Sequence, residues 1–162
     1  MRFFYLDPGL QNDVGHHANY CRYIVGELRA RGVETLVFTP LWVDAALRSE
    51  LGAIPHFRVY TYAETDGDPV CGWLTGFETF ARLTCEDLSR LPTTEPSDIV
   101  YMSSARPAQL MALVEWRRAL PSGRQPTIVM ESVSAGLVVQ HTPDGLQVSV
   151  PDPRSNPRAT LF

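Results

Sequence analysis

The chain has 162 residues, which is long enough for one domain with a substantial buried core. Hydrophobic residues make up 44% of it and charged residues 20%, a composition that is typical of folded globular proteins and excludes a disordered chain. The net charge of -4 excludes the strongly basic surface by which proteins bind nucleic acids or anionic membranes.

The three cysteines, Cys21, Cys71 and Cys85, are odd in number and irregularly spaced, so they predict neither a disulfide framework nor a zinc site. Cys21 falls on the apolar side of a predicted helix and is expected to be a core residue. No signal peptide opens the chain, and no apolar run reaches the roughly 20 residues that span a bilayer. We therefore expect a cytoplasmic protein without a transmembrane segment.

Residues 1–40 predict a βαβ unit. Phe3–Leu6 is an apolar run of the kind that is buried on both faces of a parallel sheet, and the turn Asp7-Pro8-Gly9 ends it. A helix is predicted to begin near His16 or His17 and to end at Gly32, before a second strand over 35–38. Its predicted apolar stripe consists of Tyr20, Cys21, Ile24, Val25 and Leu28.

The alternation of strand and helix continues through the rest of the chain. The predicted elements are, in order, a helix over 40–51, a strand over 57–62, a polar loop over 64–69, a helix carrying Trp73, Phe77, Phe80 and Leu83, a strand over 99–102, a helix that opens at Pro107 with Leu110, Leu113 and Val114 on its apolar face, and a strand over 128–130. Residues 138–141 and 146–150 flank a Pro-Asp-Gly turn and predict a hairpin.

These elements predict an α/β fold. We expect a three-layer Rossmann-like domain over 1–150, with a mostly parallel sheet of about five or more strands and a terminal hairpin. Residues 151–162 are rich in proline and polar residues, which predicts a linker-like tail.

The carboxyl ends of the predicted strands are the expected place for a ligand, because ligands of open α/β sheets bind there. Six residues follow these strands directly: Asp7 and Gly9 after the first, Thr39 after the second, Ser103 and Ser104 after the fourth, and Glu131 after the fifth. They are far apart in sequence, and the predicted fold would bring them together.

The loop from Asp7 to His17 is the richest of these candidate regions. Gly9 and Gly15 allow tight turns or a close approach to a ligand, and a helix start after Gly15 suits a phosphate or carboxylate. His16 and His17 add donors that titrate near neutrality, although they lack a third ligand spaced for a metal. The loop matches neither the G-x-G-x-x-G dinucleotide pattern nor a P-loop. In the alternative interpretation, Gly15 packs the helix against the sheet and one histidine caps it.

The remaining candidates each leave an alternative open. Ser103 or Ser104 could cap the helix that follows them. Glu131 could be a general base or contact sugar hydroxyls, or it could pair with an arginine. Ser104 or Ser132 together with His141 would suit a small hydrolase, but no G-x-S-x-G elbow is present.

The chain resembles a GT-B-fold glycosyltransferase in its opening, with the likeness in sequence concentrated in residues 1–40. Three runs carry the resemblance: FFYLDPG at 3–9, GHHANY at 15–20 and LRARGVE at 28–34. The family often opens with a strand, a glycine-bearing loop followed by a histidine, and a helix that ends in an Arg-Gly-like turn. The order of the later elements is compatible with the N-terminal domain of that family over nearly the whole chain.

The resemblance implies the acceptor-side domain of an enzyme that transfers a sugar from a nucleotide donor. Gly15 and His16 or His17 would approach the donor diphosphate, and Glu131 or Asp7 would handle acceptor hydroxyls. Relatives with a histidine after the fifth strand would place it near Glu131, so this chain departs from them there. Because the chain stops at Phe162, we expect it to lack the donor-binding domain, to dock to such a domain or to itself, and to be inactive alone. The alternative is a non-catalytic Rossmann-like or flavodoxin-like binding module.

Overall fold

The computed structural model of the chain describes residues 1–61, 71–131, 138–142 and 145–149. Within them, strands and helices alternate as the α/β prediction requires. In chain order they are β1 (Arg2–Leu6), α1 (His16–Ala30), β2 (Glu34–Pro40), α2 (Ala45–Leu51), β3 (Ile54–Phe57), α3 (Cys71–Leu88), β4 (Ile99–Met102), α4 (Pro107–Ala119), β5 (Thr127–Met130), β6 (Val138–Thr142) and β7 (Gly145–Ser149).

The main sheet has five strands in the order β3-β2-β1-β4-β5, and every pair in it is parallel. β1 lies at the centre, where Phe3 pairs with Thr35 of β2 on one side and with Ile99 of β4 on the other. The strand order reverses between β1 and β4, which is the point where ligands of doubly wound sheets bind. The predicted Rossmann-like fold class is confirmed.

The sheet is covered on both faces, which explains the uninterrupted apolar sequence of β1. Phe4 and Leu6 contribute to a core shared with α4, whereas Tyr5 points to the opposite face, because successive side chains of a strand alternate. The helical residues that pack on the Tyr5 side are Ala18, Cys21, Val25, Leu47 and Leu51. Cys21 is therefore a core residue, as predicted.

Helix α1 buries most of the predicted stripe, since Cys21 and Val25 are buried and Ile24 packs against the same core. Tyr20 is the exception, with 44% of its surface exposed. The buried face extends instead to His17, which hydrogen-bonds to a buried carboxylate beneath the helix. Apolar periodicity does not include a histidine in the buried face.

The predicted face of α4 is also wrong in part. Leu110 and Val114 are 39% and 38% exposed, and only Leu113 of the predicted residues is buried. The buried face contains Ala108, Gln109, Ala112, Leu113 and Trp116. Small alanines allow close packing, and the Gln109 amide on this face donates to the Thr61 hydroxyl at 3.2 Å.

The boundaries of α2 and β3 differ from the prediction. Pro40 ends β2, and α2 begins only at Ala45, because the Asp44 side chain accepts hydrogen bonds from two backbone N–H groups of its first turn. The third strand lies at Ile54–Phe57 rather than over 57–62. Pro55 is tolerated in it because β3 is an edge strand.

Several other predictions are confirmed. Gly32 follows α1 with a φ of 75°, β4 spans the predicted residues, and α4 opens at Pro107. β6 and β7 form the predicted antiparallel hairpin. The predicted polar loop 64–69, the tail 151–162 and the side chain of Trp73 lie outside the described residues. None of the helices in the described ranges is long and apolar enough to cross a membrane.

Candidate functional site

The residues predicted at the carboxyl edge of the sheet are brought together at its centre. Backbone hydrogen bonds continue the ladder one residue past three of the strands: Asp7 to Phe38, Ser103 to Leu6 and Glu131 to Met102, at 2.9 to 3.0 Å. Asp7, Ser103 and Glu131 therefore follow β1, β4 and β5 as three successive positions along one edge. This edge includes the reversal of strand order, so we regard it as the candidate site.

Asp7 is completely buried and is held by two donors of its own loop and helix. His17 Nδ1 lies 2.8 and 2.9 Å from the two carboxylate oxygens, and the N–H of Gly9 donates to Oδ1 at 2.9 Å. Burial raises the pKa of the Asp7 carboxyl, and the hydrogen bonds from His17 and Gly9 counteract part of that effect. The pair anchors the start of α1 to the end of β1.

Gly9 is required by the imidazole of His17 rather than by an unusual backbone angle. A Cβ atom at Gly9 would lie 2.7 Å from His17 Nε2 and 2.9 Å from Nδ1, which is too close for non-bonded atoms. Gly15 has a different reason to be glycine, because it precedes α1 with a φ of 92°. Both glycines of the predicted loop thus shape the first turn of α1.

The first turn of α1 presents an imidazole next to the helix N–H groups of its N-terminus. Gly15, at the N-cap, has no side chain to accept from them, and the turn contains no acidic residue. His16 is exposed, and its ring stacks on that of His17 with the centroids 4.3 Å apart. His16 Nε2 lies 3.2 Å from the Ser104 hydroxyl, which joins α1 to the end of β4 across the strand-order reversal.

Ser104 adopts a backbone conformation that serines rarely adopt. Its φ is 53°, and among the described residues it is the one non-glycine with positive φ. The left-handed region costs roughly 1–2 kcal/mol for a residue with a Cβ. The N–H of the next residue, Ala105, donates to the Glu131 carbonyl at 2.7 Å and braces the turn. Strain of this kind is often found at ligand sites.

Neither serine caps α4, so that alternative is wrong. Arg106 occupies the N-cap position, and its N–H donates to the Gln109 side chain at 2.8 Å. A hydrolase arrangement is also disfavoured, because the Ala105 N–H that would form part of an oxyanion hole is already engaged. Ser132 and the side chain of His141 lie outside the described residues.

Glu131 is paired with a tyrosine rather than with an arginine. The Tyr101 hydroxyl donates to Glu131 Oε2 at 2.8 Å, and Glu131 forms no ion pair within the part of the chain that the structure describes. Burial raises the pKa of the Tyr101 hydroxyl, and the hydrogen bond to Glu131 raises it further. Tyr101 was not among the predicted site residues, although its position in β4, two residues before Ser103, places it near the same edge of the sheet.

Thr39 and Ser103 lie at the same edge but are buried. The Thr39 hydroxyl approaches the Ile54 carbonyl at 3.5 Å, a contact that ties β2 to β3. Among the residues with described positions, no group of three or more histidine, cysteine, aspartate or glutamate side chains could hold a metal ion. The exposed polar groups of the edge are therefore His16 and, in part, Glu131.

Comparison of the chain with protein-family models, with curated proteins and with solved structures finds no significant match.

Proposed function

We propose that the chain is the N-terminal, acceptor-side domain of a GT-B-fold glycosyltransferase and that its β1/β4 edge receives the diphosphate of a sugar nucleotide. The observation that carries the proposal is the hydrogen bond between His16 and Ser104 across the strand-order reversal. It holds an exposed imidazole against the buried Ser104 hydroxyl at the edge where this type of sheet binds ligands.

The electrostatics of the first turn of α1 suit an anion. Its N–H groups carry a partial positive charge, and neither an acidic residue nor a capping side chain neutralises it. His16 adds an exposed ring nitrogen to these donors. A diphosphate in contact with this turn would be stabilised by His16 and by backbone donors, with Ser104 holding the His16 ring.

The buried histidine and the buried carboxylate have a supporting role in this proposal. The His16 ring stacks on the His17 ring. Asp7 in turn holds the His17 ring through both carboxylate oxygens. Asp7, which is completely buried, acts through His17 rather than on an acceptor hydroxyl. Contact with the acceptor is left to Glu131, at the next strand but one along the edge.

The test is calorimetric titration with uridine diphosphate and with uridine diphosphate sugars. We expect weak binding, because one wall of a cleft neither clamps the donor nor excludes water. His16→Ala should lower the affinity about tenfold, which is the value of a hydrogen bond to a charged group, and Ser104→Ala should lower it less. Tyr23→Ala is the matched control, since Tyr23 is 71% exposed on the same helix.

Diphosphate affinity that is the same in the wild type, His16→Ala and Ser104→Ala would refute the site. A second measurement separates the enzyme from a plain binding module. If the protein in its native context binds the donor through His16 but transfers no sugar to any acceptor, the non-catalytic Rossmann-like module is the better description.

A further inference from the structure

Glu131 is the most firmly held of the partly exposed polar residues at the carboxyl edge of the sheet. Its N–H donates to the Met102 carbonyl at 3.0 Å, and its carbonyl accepts from the Ala105 N–H at 2.7 Å. Both backbone groups are therefore fixed to the end of β4 and to the turn that contains Ser104. The backbone from which the Glu131 side chain departs is therefore held in place without a ligand.

Tyr101 then fixes the direction of the carboxylate. Its hydroxyl donates to Glu131 Oε2 at 2.8 Å. The Tyr101 ring is itself held by two aromatic neighbours, Phe3 with the ring centroids 5.9 Å apart and Tyr5 at 5.3 Å. Since a stacked, half-buried ring has little rotamer freedom, the donor is preorganised and not recruited from solvent.

One carboxylate oxygen is left with its acceptor capacity unused. The described residues provide a donor to Oε2 alone, and Glu131 has no arginine partner among them. A carboxylate has about four lone-pair sites and accepts several hydrogen bonds. Glu131 is half-buried, and its backbone carbonyl is bonded to the residue that follows Ser104.

The chemistry of the group favours a hydroxyl donor over a cation. The phenol already satisfies part of the carboxylate charge, and a half-buried cation would need more ligands than one oxygen to replace its hydration. A hydroxyl group of a sugar ring requires less, because one hydrogen bond to the carboxylate replaces the one that it makes to water.

We propose that Tyr101 is a positioning residue that aims Glu131 at a hydroxyl group of a neutral sugar ring, which forms a subsite distinct from the diphosphate site. The choice of a sugar as the ligand rests on the proposed glycosyl-transfer function. The pairing itself rests on the distances alone. Tyr101 makes no contact with the sugar in this proposal and acts only through the carboxylate.

The test is a titration with methyl glycosides of glucose, galactose and mannose, followed by the backbone amide signals of Ser104, Ala105 and Glu131. The variants are Tyr101→Phe, Glu131→Gln and the double variant, with Tyr23→Phe as a control that removes an exposed phenol. Tyr101→Phe keeps the stacked ring, so the fold is retained, and unchanged amide spectra outside the site confirm this.

We expect Tyr101→Phe to weaken glycoside binding about three- to tenfold, because the carboxylate loses one oriented hydrogen bond. Glu131→Gln should weaken it at least as much. The double variant should bind no more weakly than Glu131→Gln, since a residue that acts only through Glu131 has no effect once the carboxylate is gone. A purely structural role for Tyr101 would give additive losses.

Three results would overturn the inference: no glycoside binding by the wild type, full binding by Tyr101→Phe, or additive losses in the double variant. Failure of the diphosphate site is recorded separately. If glycoside binding depends on Tyr101 and Glu131 while diphosphate binding ignores His16, the sugar subsite holds and the sugar-nucleotide assignment fails. The reverse pattern refutes the subsite alone.

Discussion

The contact between Gly9 and His17 provides the sharpest test of how the candidate site is held together. Substitution of Gly9 by alanine would place a Cβ atom 2.7 to 2.9 Å from both ring nitrogens of His17. Moving the ring would be costly, because Nδ1 is hydrogen-bonded to Asp7 and the ring stacks on that of His16. The perturbation therefore reaches the Asp7–His17 pair and not the glycine alone.

Two contributions set the expected loss in stability. Overpacking of a buried position costs about 1–3 kcal/mol. A strained or broken hydrogen bond to a buried carboxylate costs about 1–3 kcal/mol more. We therefore expect Gly9→Ala to lower the free energy of unfolding by about 3 kcal/mol, which for a chain of this length lowers Tm by roughly 6–12 °C.

The assay is thermal and urea unfolding of Gly9→Ala beside Gly26→Ala. Gly26 lies inside α1, and a Cβ atom added there would meet no other atom within 4 Å, so alanine should stabilise the helix by about 0.5–1 kcal/mol. In a His17→Ala background the cost of Gly9→Ala should shrink, because the obstructing ring is absent. Equal stability of Gly9→Ala and the wild type, or an undiminished cost in that background, would show that the steric reasoning is wrong.

Two further predictions concern strain and charge. Ser104→Gly should raise the free energy of unfolding by about 1 kcal/mol, because glycine adopts a φ of 53° without strain. The same variant should bind diphosphate more weakly, because the hydrogen bond to His16 is lost. Urea unfolding measures the first effect and calorimetry the second. Asp98→Asn should destabilise the protein by about 2 kcal/mol at pH 7, because the buried Asp98 carboxylate accepts from the Arg2 side chain at 2.6 Å and from the Arg2 N–H at 2.8 Å. Burial opposes ionisation of Asp98, but these hydrogen bonds and one from the Glu95 N–H outweigh it and lower the pKa of Asp98 below its ordinary value. The stabilisation is therefore present above pH about 4 and lost as pH falls through the lowered pKa, so urea unfolding at pH 7 and near pH 2 should show the difference between the wild type and Asp98→Asn shrinking in acid.

Sequence patterns were sufficient for the fold where a single strong signal was present. The apolar run of β1, the proline that opens α4 and the glycine after α1 each have one local cause, and each was predicted correctly. The stripe of α1 was predicted except at its start, where Tyr20 is exposed and His17 is buried by a partner ten residues earlier and not by its own hydrophobicity. The buried face of α4 was missed for a similar reason, since Gln109 is placed there by Thr61, 48 residues earlier.

The site shows the same division. The rule that ligands bind at the carboxyl ends of strands was enough to select Asp7, Ser104 and Glu131 from the order of residues alone. That rule could not predict the residue to which each of them is hydrogen-bonded, because side-chain pairing depends on rotamers and, for Ser104, on its backbone angle. His16 and Ser104 are 88 residues apart, and no periodicity links Tyr101 to Glu131.

The central position of β1 has a consequence for the dynamics of the molecule. β1 pairs along its length with both β2 and β4, whereas β3 and β5 each have one neighbour in the sheet. Local opening of β1 must break two hydrogen-bonded ladders at once, so the sheet frays from its margins inwards. The loop that leads to His16 departs from the strand that opens last. A ligand at this loop would therefore meet a surface that remains assembled during the partial openings of the sheet margins.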